Sequence, residues 1–414
     1  MTLRSLLSNP RIAVMLPLGF ASGLPLALTA GTLQAWLTVA GLDLRTIGIF
    51  SLAGLPYTLK FLWSPVIDRF APPWLGRRRG WMLGSQVALI LGIAAMAVSG
   101  PELGTDPRIM LLGGLAIAVS FLSASQDIAF DAYRADLLKP EERGPGAGVS
   151  VTGYRIAMLA AGAIALILST RIGWRETYLL MAALMTVGVV STYVSPEPAA
   201  PPSVPKTLGE AVVAPLKNFF DRPAAVALLL LIILYKIGDA FAGSLSTAFL
   251  IRELGFSPAE VGVVNKGLGM AATIVGALAG GAWMTSLGMF RALLLFGVLQ
   301  AVSNLGFLIL SLAGKSYPLM VGAVAIENIA GGMGTAAFVA FVMSLCDHRY
   351  TATQFALLSA VGALGRVFVG PPSGYIAEAA GWPGFFFLTF LAALPGLYVL
   401  IRLRPVVLAE GSAP

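Results

Sequence analysis

Polar residues punctuate this chain more than they pattern it. About twelve apolar runs, each near the 20 residues needed to cross a hydrocarbon core of roughly 30 Å, follow one another with short polar breaks. They lie near 11–37, 44–66, 80–100, 108–138, 145–170, 175–194, 224–251, 258–287, 290–313, 317–345, 350–379 and 382–402. The pattern predicts an all-α polytopic membrane protein with about 12 transmembrane helices. The first run begins only about ten residues in, is too long for a signal-peptide core and lacks a clean small-residue cleavage site, so it is expected to remain as helix one.

The longest polar interruption, 195–222, opens with SPEPAAPPSVPK, whose clustered prolines prevent a continuous helix. It divides the chain into a six-helix bundle over 1–194, a cytoplasmic linker over 195–222 and a second six-helix bundle over 223–414. Within the linker, Thr207 to Phe220 reads either as a short amphipathic helix on the membrane surface or as plain linker. The halves carry a trace of duplication: GLDLRTIG (Gly41 to Gly48) and GFSPAEVG (Gly255 to Gly262) match at both glycines and at an aliphatic position. Parallel six-helix repeats about a vertical pseudo-twofold, with a site near the midplane between them, are the architecture of rocker-switch transporters. In that register Lys236 and Asp239 fall opposite Ser22 and Pro25, so these charges belong to one half only.

Composition excludes a soluble domain: 57% of the 414 residues are hydrophobic and 11% charged, with a mean hydropathy of +0.85. The net charge of +7 is a topology signal. With a cytoplasmic N-terminus, fifteen basic residues fall in inner loops and tails against six in outer loops, which puts both termini in the cytoplasm and gives no reason to expect nucleic acid. The single cysteine, Cys346, excludes an intramolecular disulfide, and the single histidine, His348, reads as a solvated loop residue. No metal or cofactor chemistry has a ligand set, and no paired-histidine motif, nucleophile elbow or phosphate-binding glycine loop suggests an enzyme.

Charges inside the apolar runs are the candidates for function, since each costs roughly 2.5 to 3.5 kcal/mol at a helix centre on insertion scales. The densest set is SFLSASQDIAFDAYR (Ser120 to Arg134) on helix four. Ser120, Asp127, Asp131 and Arg134 recur at intervals of seven, four and three and so share a face. Two carboxylates one turn apart do not both ionise cheaply, which suits a proton carrier. The alternative for Asp127 is a structural pair with Arg155 on helix five, leaving Asp131 as the better proton carrier. In the second half Lys236, Asp239, Lys266 and Glu327 stand at similar depth, and depth alone does not choose between Asp239 and Glu327 as the partner of Lys266. The glycines of helix eight (Gly262, Gly269, Gly276, Gly280) and of helix ten read first as close helix packing and second as gating.

Two loops carry a recognisable charge pattern. PVIDR (Pro65 to Arg69) followed by GRRRG (Gly76 to Gly80) joins helices two and three, and Arg134-Ala-Asp136 leads to Glu141-Glu142-Arg143 after helix four. These resemble the loop signature of the major facilitator superfamily, with FAPPWL lengthening the first spacing; the alternative is ordinary positive-inside charge with a helix cap. The resemblance implies a cytoplasmic gate of Asp68, Arg69, Arg77, Arg78, Arg134, Asp136 and Arg143. GFASGLPLALTAGTLQAW (Gly19 to Trp36), SASQDIAFDAYRADLL (Ser123 to Leu138), YKIGDAFA (Tyr235 to Ala242) and TATQFALLSA (Thr351 to Ala360) are similar to the AmpG muropeptide permeases of Gram-negative bacteria.

That resemblance spans nearly the whole chain. It implies proton-coupled import of anhydromuropeptides across the inner membrane by a monomeric carrier, serving peptidoglycan recycling and, where the regulator exists, β-lactamase induction. A disaccharide-peptide offers hydroxyls, amides and carboxylates, so its site needs donors, acceptors and fixed positive charge. The candidates are Arg155, Lys236, Lys266 and Arg366 for carboxylates, and Gln126, Asn265, Asn328, Thr29 and Tyr154 for amide and sugar groups. Trp36 and Tyr235 read either as sugar-stacking rings or as core aromatics. Proton coupling is assigned to Asp131, Asp127, Asp239 and Glu327. The rival readings are a major facilitator carrier for another substrate, such as a drug exporter or an acetyl-CoA carrier, and a membrane receptor that binds without translocating.

Overall fold

A computed structural model describes residues 9–70, 72–100, 106–138, 142–196, 214–222, 224–345 and 351–411. Among these residues the chain is helical almost throughout and contains no β-strand. That is the outcome lipid imposes, because a helix satisfies its backbone hydrogen bonds within itself. Ten continuous stretches are long and apolar enough to cross a membrane. In chain order the helices are α1 (Pro10–Val39), α2 (44–69), α3 (Arg77–Val98), α4 (Asp106–Leu137), α5 (Val149–Ile172), α6 (Trp174–Val194), α7 (Ala225–Glu253), α8 (Pro258–Met284), α9 (Met289–Ala313) and α10 (Tyr317–Ser344). The last stretch, Leu357–Arg402, holds two helices. Gly381, at φ 67° and ψ 173°, separates α11 (351–380) from α12 (382–402).

Helix α2 is absent from the ten because it is built of short pieces. α-Helical Leu44–Ile49, Leu55–Leu59 and Ser64–Arg69 alternate with 3₁₀ turns at Phe50–Gly54 and Lys60–Leu62. Pro56 and Pro65 each stand in the first turn of a new piece, where the missing N–H has no intrahelical partner to lose. Hydropathy found this run but not its breaks. Of the expected linker helix at 207–220, residues 207–213 lie outside the described residues. Ala214–Phe220 is helical, and Asn218 accepts a 2.9 Å hydrogen bond from Gln354 on α11. Cys346 and His348 also lie outside the described residues.

The chain packs as two compact units, 1–41 with 53–204 and 42–52 with 205–414. In the first, α1 crosses α5 at contact distance. A Cβ at Gly19 would collide with the Ser150 carbonyl, one at Gly23 with the Tyr154 carbonyl and one at Gly153 with the Leu16 carbonyl. Small residues at a crossing let backbones meet where lipid supplies no hydrophobic drive. Thr32 donates to the Ala161 carbonyl at 2.5 Å and Tyr178 to the Leu28 carbonyl at 2.9 Å, fixing the C-terminal half of α1. Met15, Leu18, Met82, Phe130 and Tyr133 fill the core beneath.

In the second unit α8 and α10 repeat the device. A Cβ on Gly276 would strike the Ile329 carbonyl, and one on Gly332 the Thr273 carbonyl. Phe249, Phe307, Trp382 and Phe386 interlock on one side, with the stacked Phe307 and Phe386 rings 5.3 Å apart. The opening piece of α2 belongs to this unit. Gly48 lies against the Gly370 carbonyl and Gly374 against the Leu44 carbonyl. Ser51 donates to the Val367 carbonyl at 3.2 Å. Arg45 pairs with Glu378 at 2.5 Å while its guanidinium lies 4.9 Å from the Tyr375 ring centroid. Asp43 caps the piece, accepting from the Thr46 amide at 2.9 Å and the Thr46 hydroxyl at 2.6 Å. Burial alone would push the Asp43 carboxyl up, but these hydrogen bonds outweigh it and hold the group below its ordinary range.

Candidate functional site

Each unit carries one cluster of polar and charged side chains within its apolar helices. In the first unit the cluster grows from α4, where a helical repeat sets Ser120, Ser123, Gln126 and Asp127 along adjoining positions. Ser22, on α1, donates a 2.6 Å hydrogen bond to Asp127 Oδ1. Among the described residues Asp127 has no ion-pair partner, and Arg155 is exposed rather than joined to it. The structural pair with Arg155, the alternative reading of Asp127, is therefore not formed. Depth matched, but Arg155 lies one residue round the helix from Tyr154, which packs on α1 beside Gly23.

Asp131 is placed differently. It is half exposed and sits between two cations, with Arg134 at 3.0 Å and Lys60 at 3.9 Å. Of the two carboxylates on α4 assigned to proton coupling, Asp131 is thus ion-paired and, among the described residues, Asp127 is not. Arg134 also donates toward Ser150 at 3.4 Å and lies 5.8 Å from the Phe130 ring centroid.

In the second unit Lys236 is clamped. Its ammonium donates to Asp239 at 2.8 Å, to the Gln300 side-chain oxygen at 2.8 Å and to the Gly331 carbonyl at 3.5 Å. Glu327 accepts from the Asn328 amide at 3.0 Å, and Asn328 in turn accepts from Thr273 at 3.0 Å. Lys266 has no ion pair within 4 Å among the described residues, and its neighbour Asn265 has a buried amide nitrogen without a partner. Both stand in a π-helical stretch, Gly262–Leu268, whose wider turn shifts the helix face there. Neither candidate partner of Lys266 holds it in an ion pair: Asp239 is taken by Lys236, and Glu327 is joined to Asn328.

Four of the residues proposed from sequence as substrate contacts turn out to be enclosed. Trp36 is stacked 5.9 Å from Trp174 and packed 4.7 Å from Tyr178. Tyr235 donates to the Leu293 carbonyl at 2.9 Å and stacks on Phe338. These placements favour the core reading of both rings. Thr29 returns its hydroxyl to the Pro25 carbonyl at 3.1 Å, and Gln126 is only 1% exposed. Tyr154 is partly buried, and Arg366 is exposed without an ion-pair partner among the described residues.

The loop charges find partners inside the first unit. Arg78 pairs with Asp136 at 3.0 Å, joining α3 to the end of α4. Arg79 donates to the Thr192 and Tyr193 carbonyls at the end of α6, at 3.1 and 2.6 Å. Arg77 is partly buried in the first turn of α3. The side chains of Asp68, Arg69 and Arg143 lie outside the described residues. Sequence reasoning passed over Asn9, which donates to Glu142 at 2.8 Å, and Tyr57 on α2, whose hydroxyl is buried. Tyr57 looks in sequence like any aromatic in an apolar run. Its position three residues before Lys60 was the available signal.

Two units of membrane helices, each with charged side chains set within its apolar helices, define a multi-pass membrane carrier. The Major Facilitator Superfamily model matches residues 15–370, and solved transporters show the same fold. A peptide transporter in complex with sulfate superposes with a TM-score of 0.73 at 14% identity, covering 97% of this chain and 96% of its own. A D-xylose-proton symporter superposes at 0.72 and 13% identity, covering 94% and 96%. The chain belongs to the major facilitator superfamily and, within it, to the family of the anhydromuropeptide permease of Escherichia coli (strain K12). It is 56% identical to that protein over 397 residues, covering 96% of this chain and 80% of the relative.

Proposed function

We propose that this protein imports anhydromuropeptides, the disaccharide-peptide fragments of cell-wall turnover, from periplasm to cytoplasm, driven by the proton gradient. The observation that carries the reading is the 56% identity to a protein named for that cargo, sustained over 96% of the chain. A binding difference confined to one loop would not account for likeness at that length. The protein resides in the inner membrane as a working monomer with both termini in the cytoplasm, consistent with the excess of basic residues in the loops assigned to that side.

Asp127 takes up the transported proton. A carboxylate inside the membrane with Ser22 as its hydrogen-bond donor and no ion-pair partner among the described residues carries a negative charge when ionised and none when protonated. Protonation removes the charge that opposes passage through an occluded state. Lys236 and Asp239 neutralise each other and orient Gln300. Lys266 and Asn265 offer an amine and an amide donor to substrate carboxylates. Asn328 and Glu327 lie on the facing helix α10, tied to Thr273 of α8.

The test is uptake of labelled anhydrodisaccharide-peptide into proteoliposomes under an imposed proton gradient. Accumulation that collapses on dissipating the gradient is expected. Saturable binding without accumulation would mark a receptor instead, and accumulation indifferent to the gradient would remove the proton from the mechanism.

A further inference from the structure

Five polar atoms in the first unit are buried without a hydrogen-bond partner among the described residues: the Tyr57 hydroxyl, the Ser120 and Ser123 hydroxyls, and both amide atoms of Gln126. They belong to one neighbourhood. Ser120, Ser123 and Gln126 recur every three residues along α4, Gln126 adjoins Asp127 in the chain, and Tyr57 lies beside Ser123 and within the field of Asp127. A buried polar group left unpaired costs about 1–3 kcal/mol, so a dry cluster of this size would be a heavy burden on the fold. Such groups are normally satisfied by internal water, each molecule making about three hydrogen bonds.

We propose that Tyr57, Ser120, Ser123 and Gln126 enclose an internal water-binding site in the first unit, and that its water relays protons to Asp127. Enclosure limits the occupant to something small: Ser120 and Ser123 are 0% exposed and Gln126 1%, so a disaccharide-peptide does not reach these groups. The chemistry suits a relay, because hydroxyl and water each accept one proton and release another, and no other reactant is needed. Ser22 already serves Asp127 at 2.6 Å, so the relay delivers to a carboxylate held in a fixed orientation. The relay rests on the proposed role of Asp127 in proton coupling, whereas the water site does not.

X-ray radiolytic labelling of the purified protein tests the site directly, because ordered water beside a ring makes the hydroxyl radicals that modify it. Tyr57 is expected to label as fast as Tyr193, which is 67% exposed, while Tyr178, fully buried and bonded to the Leu28 carbonyl, stays unlabelled. Replacing Gln126→Leu should abolish most Tyr57 labelling by displacing the water. Labelling of Tyr57 as slow as that of Tyr178, or unchanged in Gln126→Leu, would overturn the site. So would protection of Tyr57 by saturating anhydromuropeptide, which would assign these groups to substrate.

The relay is read from gradient-driven uptake in H₂O and D₂O. Tyr57→Phe should slow uptake and enlarge the solvent isotope effect, whereas a purely structural role would slow it with the isotope effect unaltered. The latter result would refute the relay. A wild-type protein that accumulates no muropeptide would refute the transport reading while leaving the labelling result to stand or fall alone.

Discussion

Replacing Asp127→Asn separates stability from coupling. The amide keeps an oxygen to accept from Ser22, so the 2.6 Å contact survives as a neutral hydrogen bond in place of a charge-assisted one, a loss of about 1 kcal/mol. The variant therefore folds and inserts. What it loses is the proton. One proton moving down a gradient of about 1.7 pH units releases about 2.3 kcal/mol, which corresponds to roughly 50-fold accumulation for one coupled proton whatever charge the substrate carries, once the membrane potential is clamped at zero. In proteoliposomes held at that pH gradient, wild-type accumulation of labelled anhydromuropeptide should fall to equilibration in Asp127→Asn. Asp131→Asn provides the contrast: it weakens contacts to Arg134 and Lys60 at a half-exposed carboxylate, worth about 0.2–1 kcal/mol, and should retain most accumulation. If Asp127→Asn accumulates like the wild type, or if Asp131→Asn is the variant that collapses, the assignment of the proton to Asp127 is wrong.

Other consequences are open to measurement. Lys236→Met leaves the largely buried Asp239 and Gln300 without their cation and should destabilise the protein by about 3 kcal/mol in thermal unfolding, with most of the loss recovered in the double variant carrying Asp239→Leu. At the crossing of α8 and α10, Gly276→Ala forces a Cβ into the Ile329 carbonyl and should cost about 1–3 kcal/mol. Gly281→Ala on the same helix meets open space and should gain about 0.5–1 kcal/mol; equal effects would mean that the crossing is not tightly packed. Asp43 has a depressed folded pKa, so its contribution is present above the ordinary carboxylate pKa and is lost as pH falls through the folded value. Asp43→Ala should lower stability by about 0.5–2 kcal/mol near neutrality, and that deficit should vanish in strong acid.

Hydropathy carried the helices because lipid reads nothing else over 20 residues, and the charges on α4 and α7 stood out against it. Partners were harder to read, since depth along an axis says nothing about rotation. Arg155 matched Asp127 in depth and missed it in phase. Where a helix widens into π turns, as at Ala160–Ile164, Phe249–Glu253 and Gly262–Leu268, an inserted residue turns the face by about 100°, and a uniform period of 3.6 misplaces every later residue of that helix. Tyr57 and Asn9 escaped notice for a plainer reason. An aromatic in an apolar run and an amide near a terminus are common, and only their buried or paired atoms set them apart. The enclosed state of Trp36 and Tyr235 had the same origin: a ring able to stack on sugar is equally able to stack on another ring.

The opening piece of α2 bears on how the protein is made. Ser51 meets Val367, 316 residues further along, and the pair Arg45–Glu378 and the seat of Gly48 on Gly370 close beside it. During synthesis this segment is complete while α11 has yet to be translated, so its glycine surface waits without its partner until nearly the whole chain has left the ribosome. The second unit cannot be finished from residues 205–414 alone. A chain halted before Gly370 leaves that early segment stranded, which makes the arrival of α11 the checkpoint of assembly.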